Sequence, residues 1–489
     1  MMTLKPVKMI PGLIALGVTL LIWFVIPAPE GVAQNAWQLL ALFIGTIVAI
    51  IGKALPIGAI SVIAIATVAV TQVTNPGDAK AALDDALSGF SNNLIWLIGI
   101  SMMISISLNK TGLGARIGYW LISLFGKRTL GIAYSLTFSE LILAPVTPSN
   151  TARGGGIIHP IMQSISTGFD SMPDDPASSR KMGRFLALVN YNTNPITSAM
   201  FITATAPNPM IVNLIAEGLG SEFRLSWSAW AVAAIVPGMI SLLIMPLVIY
   251  LMCPPEIKKT PNAPELAKKE LEKLGKFSLG EKITAAVFIL LLLMWAEVPE
   301  LLFGFSINAT TAAFIGLAIL LITGVLTWDE ALQHKSAWDT VMWFSALIMM
   351  ATYLGKLGLV NWLAGTVSHG IDNLGFGWIL SMLILVLVYV YTHYFFASTT
   401  AHITAMFGAF LAAGVALGAP PMLLALTLAF SSSLMMSLTH YATGTAPVIF
   451  GSNYTTLSEW WRVGFVMSVV NLAIWFYIGG AWWKVLGYW

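Results

Sequence analysis

Apolar stretches long enough to cross a bilayer alternate with short polar breaks along almost the whole chain. They fall at 11–28, 36–53, 56–73, 92–109, 185–206, 228–252, 282–298, 307–326, 337–355, 421–450 and 461–486. A spanning helix needs about 20 mostly apolar residues, so the pattern predicts about eleven transmembrane helices. Two further apolar regions, 129–165 and 376–418, are broken by polar residues and do not read as plain spans. Each is expected to be a re-entrant helical hairpin that enters and leaves on one side. The expected class is an all-α polytopic membrane protein.

The basic residues test this topology. With the N-terminus inside, Lys5, Lys8, Lys53, Arg116, Lys127, Arg128, Arg180, Lys181, Arg184, Lys335 and Arg462 all fall on the cytoplasmic side, as do the lysines of 253–282. Lys80, Arg224, Lys356 and Lys484 fall outside, and Arg153 lies within the first hairpin. That bias obeys the positive-inside rule.

The charged segment "PPEIKKTPNAPELAKKELEKLGKF" divides the chain near its middle, and motifs repeat across it in the same order. Residues 94–113, "LIWLIGISMMISISLNKTGL", resemble 341–359, "VMWFSALIMMATYLGKLGL", pairing Trp96 with Trp343, Lys110 with Lys356 and Gly112 with Gly358. "SNTAR" at 149–153 pairs with "STTAH" at 398–402, and "TATAP" at 203–207 with "TGTAP" at 443–447. The expected organisation is an extra helix at 1–35, a first repeat at 36–252, a linker at 253–280 and a second repeat at 281–489. One span precedes the first repeat, so the two halves have opposite orientation. Inverted repeats of this kind characterise secondary transporters.

Composition narrows the function. Hydrophobic residues make up 57% and charged residues 9%, against about 25% charged in an ordinary soluble domain. Mean hydropathy is +0.82, so the principal partner is the lipid bilayer. A net charge of +2 with no basic stripe argues against nucleic acid. Cys253 is the one cysteine, which excludes an intrachain disulfide and a cysteine-built metal site. No metal cluster, P-loop or nucleophile–base motif is present, so neither an enzyme nor a cofactor is expected. The N-terminal apolar run lacks a clean small-residue cleavage site and reads as a retained first helix. The lack of a Ser/Arg-rich transit segment favours a bacterial inner membrane.

The hairpins carry the candidate chemistry. Pro145 and Pro148 break the first one just before Ser149, Asn150 and Thr151. Ser, Asn and Thr are good helix N-caps, and a helix starting there aims unpaired N–H groups and its positive dipole end at the tip. Such a tip accepts anions. The second hairpin repeats the arrangement at Ser398, Thr399 and Thr400, so two tips suit a substrate with two carboxylates. Helix breaks are expected at Thr203–Pro207 and Thr443–Pro447, where Pro207 and Pro447 free backbone groups. Isolated Ser/Thr clusters in membrane helices often only bond to their own helix. Paired clusters at matching places in two halves favour binding. Arg153 and His402 occupy the same motif position, and a charge at membrane depth is usually functional. Both are read as charge compensation beside a bound dianion. His159, His393 and His440 read as satisfied polar core residues, and His334 and His369 as near-interface ones. Glu140 is left between a packing role and pairing with a local base.

"TPSNTARGGG", "STTAH" and "TGTAP" in two halves resemble the divalent anion:sodium symporter family, whose members carry di- and tricarboxylates. "LAPVTPSNTARGGGIIHPI" is similar to its exchanger branch, that of the 2-oxoglutarate/malate translocators and the citrate or tartrate:succinate antiporters. The resemblance implies a homodimer with a fixed scaffold domain and a mobile transport domain moving like an elevator. It also implies substrate contacts at Ser149, Asn150, Thr151, Ser398, Thr399, Thr400 and Thr445. The sequence departs from the family pattern at Thr399, often Asn, and at Ala446. Resident positive charge would let a loaded site cross the membrane near neutrality and would hinder return of an empty one. Exchange of 2-oxoglutarate, malate or succinate without sodium is therefore expected, with sodium-coupled symport as the alternative.

Overall fold

A computed structural model describes residues 8–359, 362 and 377–489. Lys5, His369 and residue 376 at the start of the second hairpin region lie outside the described residues. The protein is an all-α polytopic membrane protein, and among the described residues seven helices are long and apolar enough to cross a bilayer. Every expected span has a helical counterpart. The first is Met9–Leu20, continued by a wider π turn at Leu21–Val25, and the last runs over Leu457–Val485. Among the described residues the apolar pattern missed several helices, three of which bear on the site or the linker. Leu113–Phe125 and Pro207–Leu219 are too short to span, and Ala263–Lys273 lies within the charged linker.

That linker is docked on the protein. Arg128 and Lys259 form a β-bridge, Thr260 Oγ1 donates to the Gly126 carbonyl at 2.7 Å, and Ala263 and Ala267 are buried. Lysines and glutamates cover the outer face of its helix while alanines face inward, so a charged stretch still carries a packing stripe.

Both hairpins are helical. The first has one arm at Thr129–Leu143 and a second that starts as a π-helical run at Thr151–Ile158 and continues as His159–Thr167, with a 3₁₀ turn at Ala144–Val146 between the arms. The second has arms Trp378–Tyr391 and Thr399–Ala416. Two helices are interrupted: Gly183–Met200 resumes at Pro207–Leu219, and Pro421–Leu434 resumes at Thr445–Phe450. Pro207 opens its second segment, where a missing N–H costs nothing. Pro447 lies inside the short segment, so the second break falls before it, at 438–444. Residues paired by the sequence repeat hold like positions. Gly112 and Gly358 both follow a long helix with φ near +81° and +85°, a left-handed conformation that only glycine adopts freely.

The contacts divide the chain into two compact units. One comprises residues 1–99, 209–224 and 335–428; the other comprises 100–208, 225–334 and 429–489. Each draws on both halves of the sequence. In the second unit, Leu457–Ala473 packs on the break after Pro421–Leu434. A Cβ added at Gly464 would lie 2.2 Å from the Ser437 carbonyl oxygen and 3.0 Å from that of Leu438. Backbone cannot move aside cheaply, so Gly464→Ala is expected to cost about 1–3 kcal/mol. A thermal melt in detergent reads this as a drop of several degrees; an unchanged melt would mean the helix shifts freely.

Candidate functional site

The first hairpin tip is assembled from three segments of its unit. Its second arm begins at Thr151, capped by Asn150, whose Oδ1 accepts from the Thr151 N–H at 3.0 Å. Ser149 Oγ accepts from the Ala152 N–H at 3.2 Å. The Asn150 Nδ2 donates to Thr443 Oγ1 at 2.9 Å, and the Asn150 carbonyl accepts from Asn194 Nδ2 at 3.0 Å. Thr445 Oγ1 lies 3.5 Å from Thr151 Oγ1. Asn150, Thr151 and Thr445 are thus brought together by the hairpin, the Gly183–Met200 helix and the second break. Ser149 and Thr151 stay half-buried, whereas Thr445 is fully buried. The approach is close because Gly154 has no side chain: a Cβ there would meet Asn194 Nδ2 at 2.7 Å and Thr445 Cγ2 at 3.2 Å.

Arg153 lies behind the tip and is completely buried. Its Nε donates to Glu140 Oε1 at 3.3 Å. Nη1 donates to the carbonyls of Thr147 (2.7 Å) and Ala204 (2.8 Å), and Nη2 to Thr197 Oγ1 (3.4 Å) and Ser198 Oγ (3.0 Å). A guanidinium has five N–H donors, and all five are used. Glu140 also accepts from Asn194 at 2.6 Å and Thr197 at 3.1 Å. This settles the open role of Glu140 as a partner to a local base. Arg153 has its charge matched by Glu140 and all its donors placed within the protein. The residue ties both hairpin arms to the break in the neighbouring helix.

Around that break the α-helical ladder is interrupted, and side chains serve four of its carbonyls. Asn208 Nδ2 serves the carbonyls of Ser198 at 2.7 Å and Phe201 at 2.9 Å. Trp230 Nε1 serves Ala199 at 2.8 Å, and Arg153 serves Ala204. Irregular backbone at membrane depth survives only on such terms. At the second break the Tyr191 hydroxyl donates to the carbonyl of Met436. Asn190, Asn194, Thr197 and Asn208 were not foreseen. The signal for Asn190 and Asn194 lay in "NYNTNP" at 190–195, three asparagines in six residues of an apolar span.

The second hairpin tip is built in the other unit. Its second arm begins at Thr399, capped by Ser398, whose Oγ accepts from the Ala401 N–H at 3.3 Å. Ser398 and Thr400 are half-buried and Thr399 is buried. His402 is buried with its Nδ1 3.0 Å from His393 Nδ1, packed by Tyr389 and Phe396. Two ring nitrogens at this distance share one proton, so the two imidazoles do not both carry N–H there. The pair joins the hairpin's own two arms, as Glu140 and Arg153 do in the first.

The sequence model for the transmembrane region of sodium:sulfate symporters matches residues 7–489. The chain belongs to this family. Its relatives include a putative malate transporter of Bacillus subtilis, 50% identical over 99% of this chain and 98% of that protein. Chloroplastic dicarboxylate transporter 1 of Arabidopsis thaliana is 45% identical over 98% of this chain and 83% of its own length. Two solved structures share the fold: the Alcanivorax borkumensis YdaH transporter (TM-score 0.58, 11% identity, 84% of this chain and 90% of that one) and Neisseria gonorrhoeae MtrF (TM-score 0.57, 12% identity, 89% and 97%). As a member of this family the chain is a transporter and not an enzyme.

Proposed function

We propose that the protein exchanges C4 and C5 dicarboxylates such as malate, succinate and 2-oxoglutarate across a bacterial inner membrane, without sodium. The observation that carries this reading is the first tip: Ser149 and Thr151 remain accessible at a helix start whose neighbours are pinned from behind. Ser149, Asn150 and Thr151 would bind a substrate carboxylate, and so would Ser398, Thr399 and Thr400 in the other unit. Thr445 would position Thr151. The names of the malate and dicarboxylate transporters among its relatives support the substrate class. A homodimer, an elevator-like movement and a cytoplasmic N-terminus complete the proposal, the last supported by the distribution of basic residues. Charge compensation passes from Arg153 to the two helix ends, each equivalent to about half a positive charge.

Sodium-coupled symport is a second reading, favoured by one observation: Glu140 already takes the charge of Arg153, leaving less resident charge for a dianion. Proteoliposomes separate the two. Labelled malate is expected to enter only vesicles preloaded with dicarboxylate, at the same rate in sodium or potassium. Sodium-driven uptake into empty vesicles would establish symport instead. Competition by succinate, 2-oxoglutarate, citrate and sulfate ranks the substrates.

A further inference from the structure

Beside the first hairpin lies an apolar cavity of about 350 Å³, within the size range of small-ligand sites. One wall is a single face of the Leu113–Phe125 helix, formed by Leu113, Arg116, Ile117 and Trp120. A second wall is the Leu279–Trp295 helix, where Ala285, Ile289 and Leu292 recur at helical spacing. The third is the hairpin itself, through Ile142 and Val146. The rim is open: Trp120, Ile142 and Ile289 are each about half exposed or more. On the outside of a membrane protein such a mouth meets hydrocarbon.

One basic residue lines the cavity, and two more neighbour its lining residues in sequence. Arg116 lines it, with its guanidinium 5.6 Å from the ring centre of Phe277, which also lines it. Lys276 adjoins Phe277, and Lys282 heads the Ala285–Ile289 stripe one turn earlier; both lysines are exposed. Glu281, the one carboxylate of the segment 276–282, is occupied by Arg116 at 2.5 Å. With the N-terminus cytoplasmic, as proposed above, these residues lie at the cytoplasmic leaflet, where anionic lipids concentrate.

We propose that this cavity binds an acyl chain of an anionic phospholipid whose headgroup is held by Lys276 and Lys282. The chain lies against Val146, one residue before Thr147, whose carbonyl accepts from Arg153. Lipid occupancy therefore bears directly on the packing of the hairpin.

Native mass spectrometry of the purified full-length protein, offered phosphatidylglycerol and phosphatidylcholine at equal concentration, tests this independently of transport. The wild type is expected to retain phosphatidylglycerol selectively. Ala285→Trp, filling the cavity, and Ile289→Trp, blocking its mouth, are expected to lose most of that adduct. Lys276→Gln with Lys282→Gln is expected to bring retention down to the phosphatidylcholine level. Equal retention of both lipids by the wild type would overturn the proposal. So would selective retention by the lysine double variant, or an unchanged adduct in a tryptophan variant that elutes as the wild type does. Should Ala285→Trp fail to fold, Ile289→Trp at the rim decides.

Discussion

Arg153→Met is expected to abolish transport and to destabilise the folded protein by about 3–5 kcal/mol, the cost of leaving one member of a buried ion pair uncompensated. The substitution strands the Glu140 carboxylate and removes donors from the Thr147 and Ala204 carbonyls. Arg153→Lys is expected to fail as well, because an ammonium has three donors and no planar fork. Glu140→Gln combined with Arg153→Met should cost less than the two single changes together, since it removes both charges. Thermal melting in detergent and proteoliposome uptake, run on the same preparations, check this. A variant that melts like the wild type yet transports nothing would return Arg153 to the role of compensating substrate charge.

Asn150→Asp carries the second large effect. The change is nearly isosteric, but it replaces the Nδ2 that donates to Thr443 with an acceptor. It also places a negative charge at the proposed carboxylate site. Two like charges about 4 Å apart at an effective dielectric of about 20 repel by about 4 kcal/mol. Dicarboxylate affinity is therefore expected to fall about a thousandfold. Binding measured by calorimetry reads this directly; near-normal malate affinity in a folded Asn150→Asp protein would remove the first tip from the site.

Much of the architecture was legible because a bilayer demands long apolar runs and punishes exposed backbone. The hairpins stood out through polar residues beside prolines, and their arms begin within a residue or two of Ser149 and Ser398. The helix at 113–125 was not legible, since thirteen residues with an arginine on one face resemble a connecting loop. The charged linker likewise hid a packed helix, because its alanines are few beside its lysines.

The sequence by itself determined the class, the spans, the two capped tips and the family, since each rests on local composition or on a motif of adjacent residues. Only the tertiary structure decided what Arg153 does. Its five acceptors come from Glu140, Thr147, Thr197, Ser198 and Ala204, spread over 65 residues from 140 to 204. A charge in an apolar chain announces that it must be compensated. Which groups compensate it depends on what the fold brings within about 3 Å, and no spacing rule along the chain supplies that.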